Sequence, residues 1–327
     1  MPSLTNTATK RSGKKKAAGG RSAFPSGNPL KEKSKYSTHA CDLCGSKEAM
    51  LLPHCFEYTN NEAIHICNKC GFVYVPRRRS FADIAKAWSE EIYSTACTEE
   101  LYTARIPAIK ARQVFVAEFI DTTIGLRGKS VCDIGAGEGQ FLEIIRKDEY
   151  GAKVFGVEPS AKNCQLLTKN GISNFLGTAE DYAASQTFAP GTFDIVTIMW
   201  TMENSCSFRD LMGIAHKLLK KGGHVVVATG SRILVPFKKT LGEYIGNTPQ
   251  DTHAFRFSAK TLKGIMKISN FEVVHENRWR DHDVMCMIGK KSDKNLGNAF
   301  EGDHAREVCD FFERWHVESK MYDAHNG

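Results

Sequence analysis

No stretch of this 327-residue chain approaches 18 consecutive apolar residues, and its first residues are polar and basic with no apolar run behind them. The first absence excludes a membrane-spanning helix and the second a secretory leader, so the expected setting is cytoplasmic and reducing. Internal repeats are lacking as well. Acidic residues are nearly missing from the amino-terminal end, where Lys10, Arg11, Lys14, Lys15, Lys16, Arg21, Lys31, Lys33 and Lys35 stand against Glu32 alone up to Thr38. That surplus exceeds the formal net charge of +7 for the whole chain, so the remainder is close to neutral. A near-neutral body lacks the basic face with which a domain grips nucleic acid, although Arg77-Arg78-Arg79 is one local run that could serve. Rich in Ser, Gly, Ala and Lys and without apolar periodicity, residues 1–38 read as a disordered tail with no specific partner. The apolar content of 42%, beside 25% charged residues, suffices for one large core and a small second module.

The richest local signal is Val131-Cys132-Asp133-Ile134-Gly135-Ala136-Gly137-Glu138-Gly139-Gln140-Phe141-Leu142, an apolar strand running through a glycine turn into a helix. Glycine tolerates positive φ and carries no Cβ, so Gly135, Gly137 and Gly139 let the backbone bend sharply and approach a ligand. The spacing G-x-G-x-G differs from the dinucleotide pattern G-x-G-x-x-G. With Asp133 at the strand end and Glu138 inside the turn, a pyrophosphate fits the loop poorly and an adenosine without phosphate fits it better. The next strand, Lys153 to Pro159, ends in Glu158 about 20 residues further on, where an acid reaches ribose hydroxyls.

This run resembles the first motif of the class I S-adenosylmethionine (SAM) methyltransferases, and the chain after it follows the order of that family. Gly177-Thr178-Ala179-Glu180-Asp181-Tyr182 resembles the adenine-contacting loop, Phe193 to Trp200 a buried fourth strand, and Leu211 to Lys220 an amphipathic helix that ends at Gly222-Gly223. His224 to Ala228 is then the fifth strand, and Phe271 to Arg280 with Asp283 to Lys290 match the closing hairpin. The resemblance implies an α/β, Rossmann-like, seven-stranded sheet with an antiparallel closing hairpin over residues 105–290. It also implies SAM held by Asp133, Gly135, Ala136, Gly137, Gly139, Glu158, Pro159, Glu180 and Asp181.

Upstream, Cys41-Asp42-Leu43-Cys44 and Cys67-Asn68-Lys69-Cys70 form two C-x-x-C knuckles about 22 residues apart, close to a zinc spacing. Four thiolates suit tetrahedral zinc and close its coordination sphere, so a structural ion in a zinc-ribbon module at residues 39–80 is expected, not a catalytic one. Gly45 and Gly71 follow the second cysteine of each pair and permit the tight turn. His39, His54, Cys55 and His65 lie nearby as substitutes in principle. Cys97, Cys132, Cys164, Cys206, Cys286 and Cys309 show no ligand spacing.

A zinc ribbon before a SAM domain resembles the sugar methyltransferases of deoxysugar and surface-polysaccharide pathways, in which a helical segment, here residues 81–104 with Trp88, Tyr93 and Tyr102, links the two. Asp251-Thr252-His253-Ala254-Phe255-Arg256-Phe257-Ser258 resembles an element of the NDP-sugar C-methyltransferases in which the histidine lies beside the sugar. The resemblance implies His253 as general base, with Asp251, Glu203 and Tyr244 as further catalytic residues and Trp200 and Arg256 facing the acceptor. Gln250 and Thr252 stand where those relatives carry tyrosine and glutamate, and Glu203-Asn204 replaces a Glu-His, so O- and N-methylation are as open as C-methylation. The expected partner is a small hydroxylated acceptor such as a nucleotide sugar. Two other classes stay open: an RNA-modifying enzyme that grips RNA with its ribbon, and a non-catalytic scaffold. Residues 291–327 read as an extension with one helix from Ala305 to Ser319.

Overall fold

A computed structural model describes residues 36–87, 99–246, 253–278 and 280–326; nearly all of the tail, Trp88 and Tyr93 of the linking segment, and Gln250, Asp251 and Thr252 lie outside them. The chain opens with β1 (Tyr36–Thr38), β2 (Ala49–Leu51), α1 (Cys55–Tyr58), β3 (His65–Cys67), β4 (Val73–Tyr74), β5 (Arg77–Arg79), α2 (Phe81–Lys86) and α3 (Glu99–Ile124). The alternating core follows as β6 (Ser130–Ile134), α4 (Gln140–Ile145), β7 (Lys153–Glu158), α5 (Ala161–Lys169), β8 (Ser173–Leu176), α6 (Ala179–Ala184), β9 (Phe193–Met199), α7 (Phe208–Leu218) and β10 (Leu219–Thr229). Then come α8 (Leu241–Ile245), β11 (Phe255–Arg256), α9 (Ala259–Ile268), β12 (Phe271–Glu276), β13 (Met285–Lys291) and α10 (Ala305–Asn326). No helix among the described residues is long and apolar enough to cross a membrane.

Seven strands form one sheet in the order β12-β13-β10-β9-β6-β7-β8, parallel from β10 to β8 and antiparallel at β13 and β12. Strand side chains alternate between faces. Accordingly Val225, Val227, Met285 and Met287 enter one core with Phe208, Leu211 and Leu262 of α7 and α9. Their neighbours Val226, Ala228, Cys286 and Ile288 enter the opposite core with Val116 and Ile120 of α3 and Phe141 of α4. The seven-stranded α/β architecture is thus the expected one, with two local differences. Helix α7 stops at Leu218 and β10 begins at once, Gly222-Gly223 forming an irregularity between Leu219 and His224 in place of a helix cap. A Cβ at Gly223 would sit 3.0 Å from the Asp194 carbonyl, which is why glycine occupies the irregularity. The closing hairpin is shorter than expected: at Asn277 the backbone N–H still donates to Cys286 O at 3.0 Å, but the side chain takes over the return bond, accepting from Cys286 N at 2.9 Å and donating to Val284 O at 2.6 Å.

The cysteine-bearing segment does not pack as a separate module. Its sheet, β11-β4-β3-β2, takes its fourth strand from the far side of the chain, Phe255 pairing with Tyr74 and Arg256 with Val73. Phe72 stacks on Phe255 and meets Phe208 edge-on, so one aromatic cluster belongs to both parts. Helix α10 runs past Ser319 and lays Val308, Phe312 and Trp315 against Leu52, Ile64 and Ile66 of the ribbon. The carboxy-terminal extension therefore covers the ribbon.

Candidate functional site

The site is built at the carboxyl ends of β6, β7 and β9, where open α/β sheets place their ligands. Gly135 takes φ +78°, and a Cβ there would run into the Thr201 side chain. Its N–H and that of Ala136 donate to Val157 O at 2.8 and 3.2 Å, which fastens the turn to β7. Glu158 does the same from its side chain. Its carboxylate accepts from Gly137 N at 2.8 Å, Ser160 N at 2.9 Å and Asn163 Nδ2 at 3.2 Å. Burial nevertheless pushes its pKa above the usual range, those three donors pulling the other way. Asp133 is 2% exposed and accepts from Thr197 Oγ1 at 2.7 Å. Burial raises its pKa to about 7; the Thr197 bond opposes that and the Glu158 charge adds to it.

A cavity of about 270 Å³ opens over this turn. Asp133, Gly135, Ala136, Gly137, Glu158, Pro159 and Glu180 line it together, as does Glu138. Burial raises the pKa of Glu180 as well. Phe81 and Ile84 of α2, Ile109, Arg112 and Gln113 of α3, and Trp200 with Asn204, Ser205 and Cys206 after β9 line it too. Arg112 is the one cationic side chain among the described lining residues, and its guanidinium lies 4.4 Å from the Trp200 ring centroid. Trp200 holds φ +49°, an uncommon conformation for a bulky residue and one that clusters at functional sites. Trp200 Nε1, Asn204 Oδ1 and Gln113 Oε1 are buried with no hydrogen-bond partner among the described residues. Buried polar atoms are ordinarily satisfied, so these three mark a place for a polar ligand or ordered water. Nothing in the sequence announced Arg112 or Gln113, which reach the cavity from a helix with no motif.

Two expected cofactor residues stand elsewhere. Asp181 does not line the cavity; its carboxylate accepts from Thr178 N at 2.9 Å in the capping box that starts α6. The sequence Thr178-x-x-Asp181 carries that signature and could have shown it. Gly139 lies behind the turn as the N-cap of α4, at φ +84°, where a Cβ would strike Leu167.

The expected catalytic residues also divide. Glu203, 7% exposed, sits in the 3-10 turn Met202–Asn204 beside the cavity. Burial raises its pKa, the charges of His253 and Arg112 and a Thr229 bond acting against that. Ala254 N donates to Glu203 O at 2.7 Å, holding the His253 segment against the turn. His253, Tyr244 and Arg256 are not among the residues that line the cavity. Tyr244 stacks on Trp315 at 4.9 Å, and Arg256, 5% exposed, lies over the Tyr244 ring and donates to His253 O at 3.2 Å. Their strand and helix are committed to the ribbon, which draws both side chains into its core.

In the ribbon, the sulfurs of Cys41, Cys44, Cys67 and Cys70 all lie within 4.8 Å of one another. Cys41 Sγ and Cys70 Sγ are 3.6 Å apart, and Cys44 Sγ and Cys67 Sγ 3.4 Å. Four sulfurs at about 2.3 Å from a tetrahedral zinc ion would be separated by roughly 3.8 Å. The spacing therefore suits such an ion. His54 bonds to Glu57 and Glu313 and His65 packs on Tyr74, so neither joins the sulfurs. The arginine run is split: Arg78 is 3% exposed and cannot contribute to a basic surface.

Residues 109–276 match the family described as a methyltransferase domain. The ubiquinone biosynthesis O-methyltransferase of Cupriavidus pinatubonensis is 30% identical over 143 residues, which is 42% of this chain and 57% of that protein. The protein of that name from Thiobacillus denitrificans is 34% identical over 63% of its own length, so the chain spans less than two thirds of both relatives. The one from Pectobacterium carotovorum is 32% identical over 192 residues, covering 52% of this chain and 79% of that protein. The magnesium protoporphyrin IX methyltransferase of Synechocystis, solved with bound SAH, shares the fold at a TM-score of 0.50 and 13% identity, covering 65% of this chain and 100% of the other. With its sheet order, glycine turn and buried acids, the chain belongs to the class I SAM-dependent methyltransferases.

Proposed function

We propose that the protein transfers the methyl group of SAM to a hydroxyl oxygen of a small acceptor, and that its four clustered cysteines hold a structural zinc ion. The observation that carries the first part is a single cavity lined both by buried acids and by Trp200, Arg112 and apolar side chains. The residues fit the cofactor: Gly135 holds the turn at positive φ with Thr201 packed against it, and Asp133 and Glu158 are buried acids that line the cavity and suit a cation or a diol. SAM, when bound, supplies a methyl group already activated on a cationic sulfur. Asp133, Glu158 and Glu180 hold and orient the cofactor, while Phe81, Ile84 and Trp200 exclude water from the acceptor end. His253, on the segment that the Ala254 N to Glu203 O bond fastens beside the cavity, takes the proton of the acceptor hydroxyl. The zinc ion fastens the ribbon and takes no part in the chemistry.

An O-linked transfer is suggested by the relatives, which are named ubiquinone biosynthesis O-methyltransferases. The element from Asp251 to Ser258 suggests a nucleotide-linked sugar instead, and both are hydroxylated small molecules. The RNA reading loses its main support with the burial of Arg78. The test is calorimetric titration with SAM followed by transfer of labelled methyl to a panel of catechols, nucleotide sugars and total tRNA. Methyl transfer to a hydroxyl of either small-molecule class supports the reading. Label appearing in tRNA alone, or no SAM binding by folded protein, overturns it.

A further inference from the structure

The middle member of the arginine run makes an unusual set of contacts. The Arg78 fork grips the carboxylate of Asp42, Nη1 to Oδ1 at 3.2 Å and Nη2 to Oδ2 at 2.7 Å. Asp42 lies inside the first knuckle, between Cys41 and Cys44. The same Nη1 donates to the carbonyl of Cys206 at 2.5 Å, and the guanidinium lies 4.8 Å from the Phe255 ring centroid. Both charged side chains are buried, at 2% and 7% exposure. From the other side, Arg209 in the first turn of α7 donates Nε to Asp42 O and Nη2 to Leu43 O, the latter at 3.0 Å. Two arginines thus cross between knuckle and methyltransferase sheet in opposite directions. Arg78 thereby reaches one wall of the cavity, since Asn204, Ser205 and Cys206 all line it.

Buried ion pairs contribute little net stability, because desolvation offsets attraction, but a bidentate one such as Arg78–Asp42 fixes geometry. Here the geometry fixed is that of a cavity wall. We infer that Arg78 is a positioning residue for SAM binding: it transmits the shape of the Cys41–Cys44 knuckle, through Asp42, to the Cys206 carbonyl and the cavity wall that ends there. The ribbon then acts as a buttress of the cofactor site, and emptying the cysteine cluster loosens SAM as well as the ribbon. The inference rests on the cofactor reading given above, and on the zinc reading only for that last consequence.

The experiment measures the SAM dissociation constant by calorimetry on the full chain, with metal content and melting temperature recorded for each sample. Wild type, Arg78→Met, Arg78→Lys, Asp42→Asn and Arg77→Met are compared, each before and after treatment with a strong zinc chelator. Arg77 neighbours Arg78 but is exposed and lies over Tyr36, so Arg77→Met should leave SAM affinity unchanged. Arg78→Met should raise the SAM dissociation constant by about 10-fold in protein that remains folded. Asp42→Asn and Arg78→Lys should fall between, because each keeps part of the bridge. Chelation should weaken SAM binding in wild type and add little in Arg78→Met, the non-additivity expected of residues in one network. A purely structural role would lower the melting temperature of Arg78→Met with no change in SAM affinity, and that outcome overturns the inference. If Arg78→Met does not fold, Arg78→Lys decides, and wild-type affinity there overturns it equally. Wild type that binds SAM but contains no metal sinks the zinc reading alone, leaving the Arg78 comparison intact; wild type that is folded and binds no SAM sinks the cofactor reading and the inference with it.

Discussion

The carboxylate of Glu158 accepts the Gly137 amide at 2.8 Å, so the acid at the end of one strand ties down the glycine turn at the end of its neighbour. Both elements line the cavity, and the bond sets their separation before any ligand arrives. Glu158→Ala removes three hydrogen bonds to a buried carboxylate and releases the turn. With charge-assisted bonds worth about 1.5–3 kcal/mol each at most, SAM affinity is expected to fall by roughly 10- to 100-fold. Glu158→Gln keeps an acceptor for Gly137 and should lose less. Calorimetry on the two variants checks the order, and equal losses would show that the turn does not depend on this bond.

Asp133 gives the site a pH dependence. Burial raises its pKa to about 7, whereas the unfolded chain releases that proton near the ordinary value of 3.8. Between those values the folded state binds the extra proton, so the contribution to stability is full below pH 4 and is lost as pH rises through 7. A cationic cofactor favours the ionised carboxylate, so SAM affinity should climb with pH up to about 7 and then level off. Titrations at several pH values in buffers of different ionisation enthalpy should detect a proton released on binding. In Asp133→Asn the slope should vanish.

The order of the sheet was legible because each piece carries a local signal. Val225 to Ala228 and Val131 to Ile134 are short apolar runs bounded by turns, and the acids that end β6 and β7 stand beside the glycine turn in the chain itself. The four cysteines were legible from spacing alone. What escaped reading depends on contacts across long sequence separations. Arg78 looks like part of a basic surface run until Asp42, Cys206 and Phe255 are seen around it. Phe255 and Arg256 look like a motif beside the acceptor until they are found as the edge strand of the ribbon. Arg112 and Trp200 are distant in sequence and meet only when α3 crosses the end of β9. Asp181 is the exception, since its capping role was written locally.

Gly135→Ala tests the tightest point of the turn. At φ +78° an alanine is strained, and its Cβ meets Thr201, another cavity-lining residue. A strained position of this kind costs about 1–3 kcal/mol, which for a chain of this size lowers the melting temperature by roughly 2–10 °C. Scanning calorimetry should show that loss, and SAM should restore less of the melting temperature than in wild type. A variant with wild-type stability and SAM response would mean that the turn relaxes freely.

Cys67→Ser should remove metal from the ribbon. Elemental analysis is expected to give one zinc per wild-type chain and none in the variant. Because metal binding is coupled to folding of its site, the melting temperature should fall by roughly 5–10 °C, the loss spreading into the aromatic cluster that Phe72 shares with Phe208. Cys164→Ser, at a cysteine outside the cluster, should keep its zinc.

His253 carries the sharpest prediction about chemistry. Its backbone is held by Arg256, its neighbour Ala254 is bonded to Glu203 O, and its side chain lies close enough to the Glu203 carboxyl to pull that pKa down against burial. In the proposed reaction this histidine takes the proton of the acceptor hydroxyl. Removing a general base typically costs about 10²- to 10⁴-fold in rate. His253→Ala should therefore lose that much in kcat on a hydroxylated acceptor while binding SAM with wild-type affinity, because no cofactor-holding residue is altered. Glu203→Gln should lose less, since it leaves the imidazole in place. Single-turnover measurement with labelled SAM separates the chemical step from product release. Undiminished kcat in His253→Ala would mean that the acceptor loses its proton to another group.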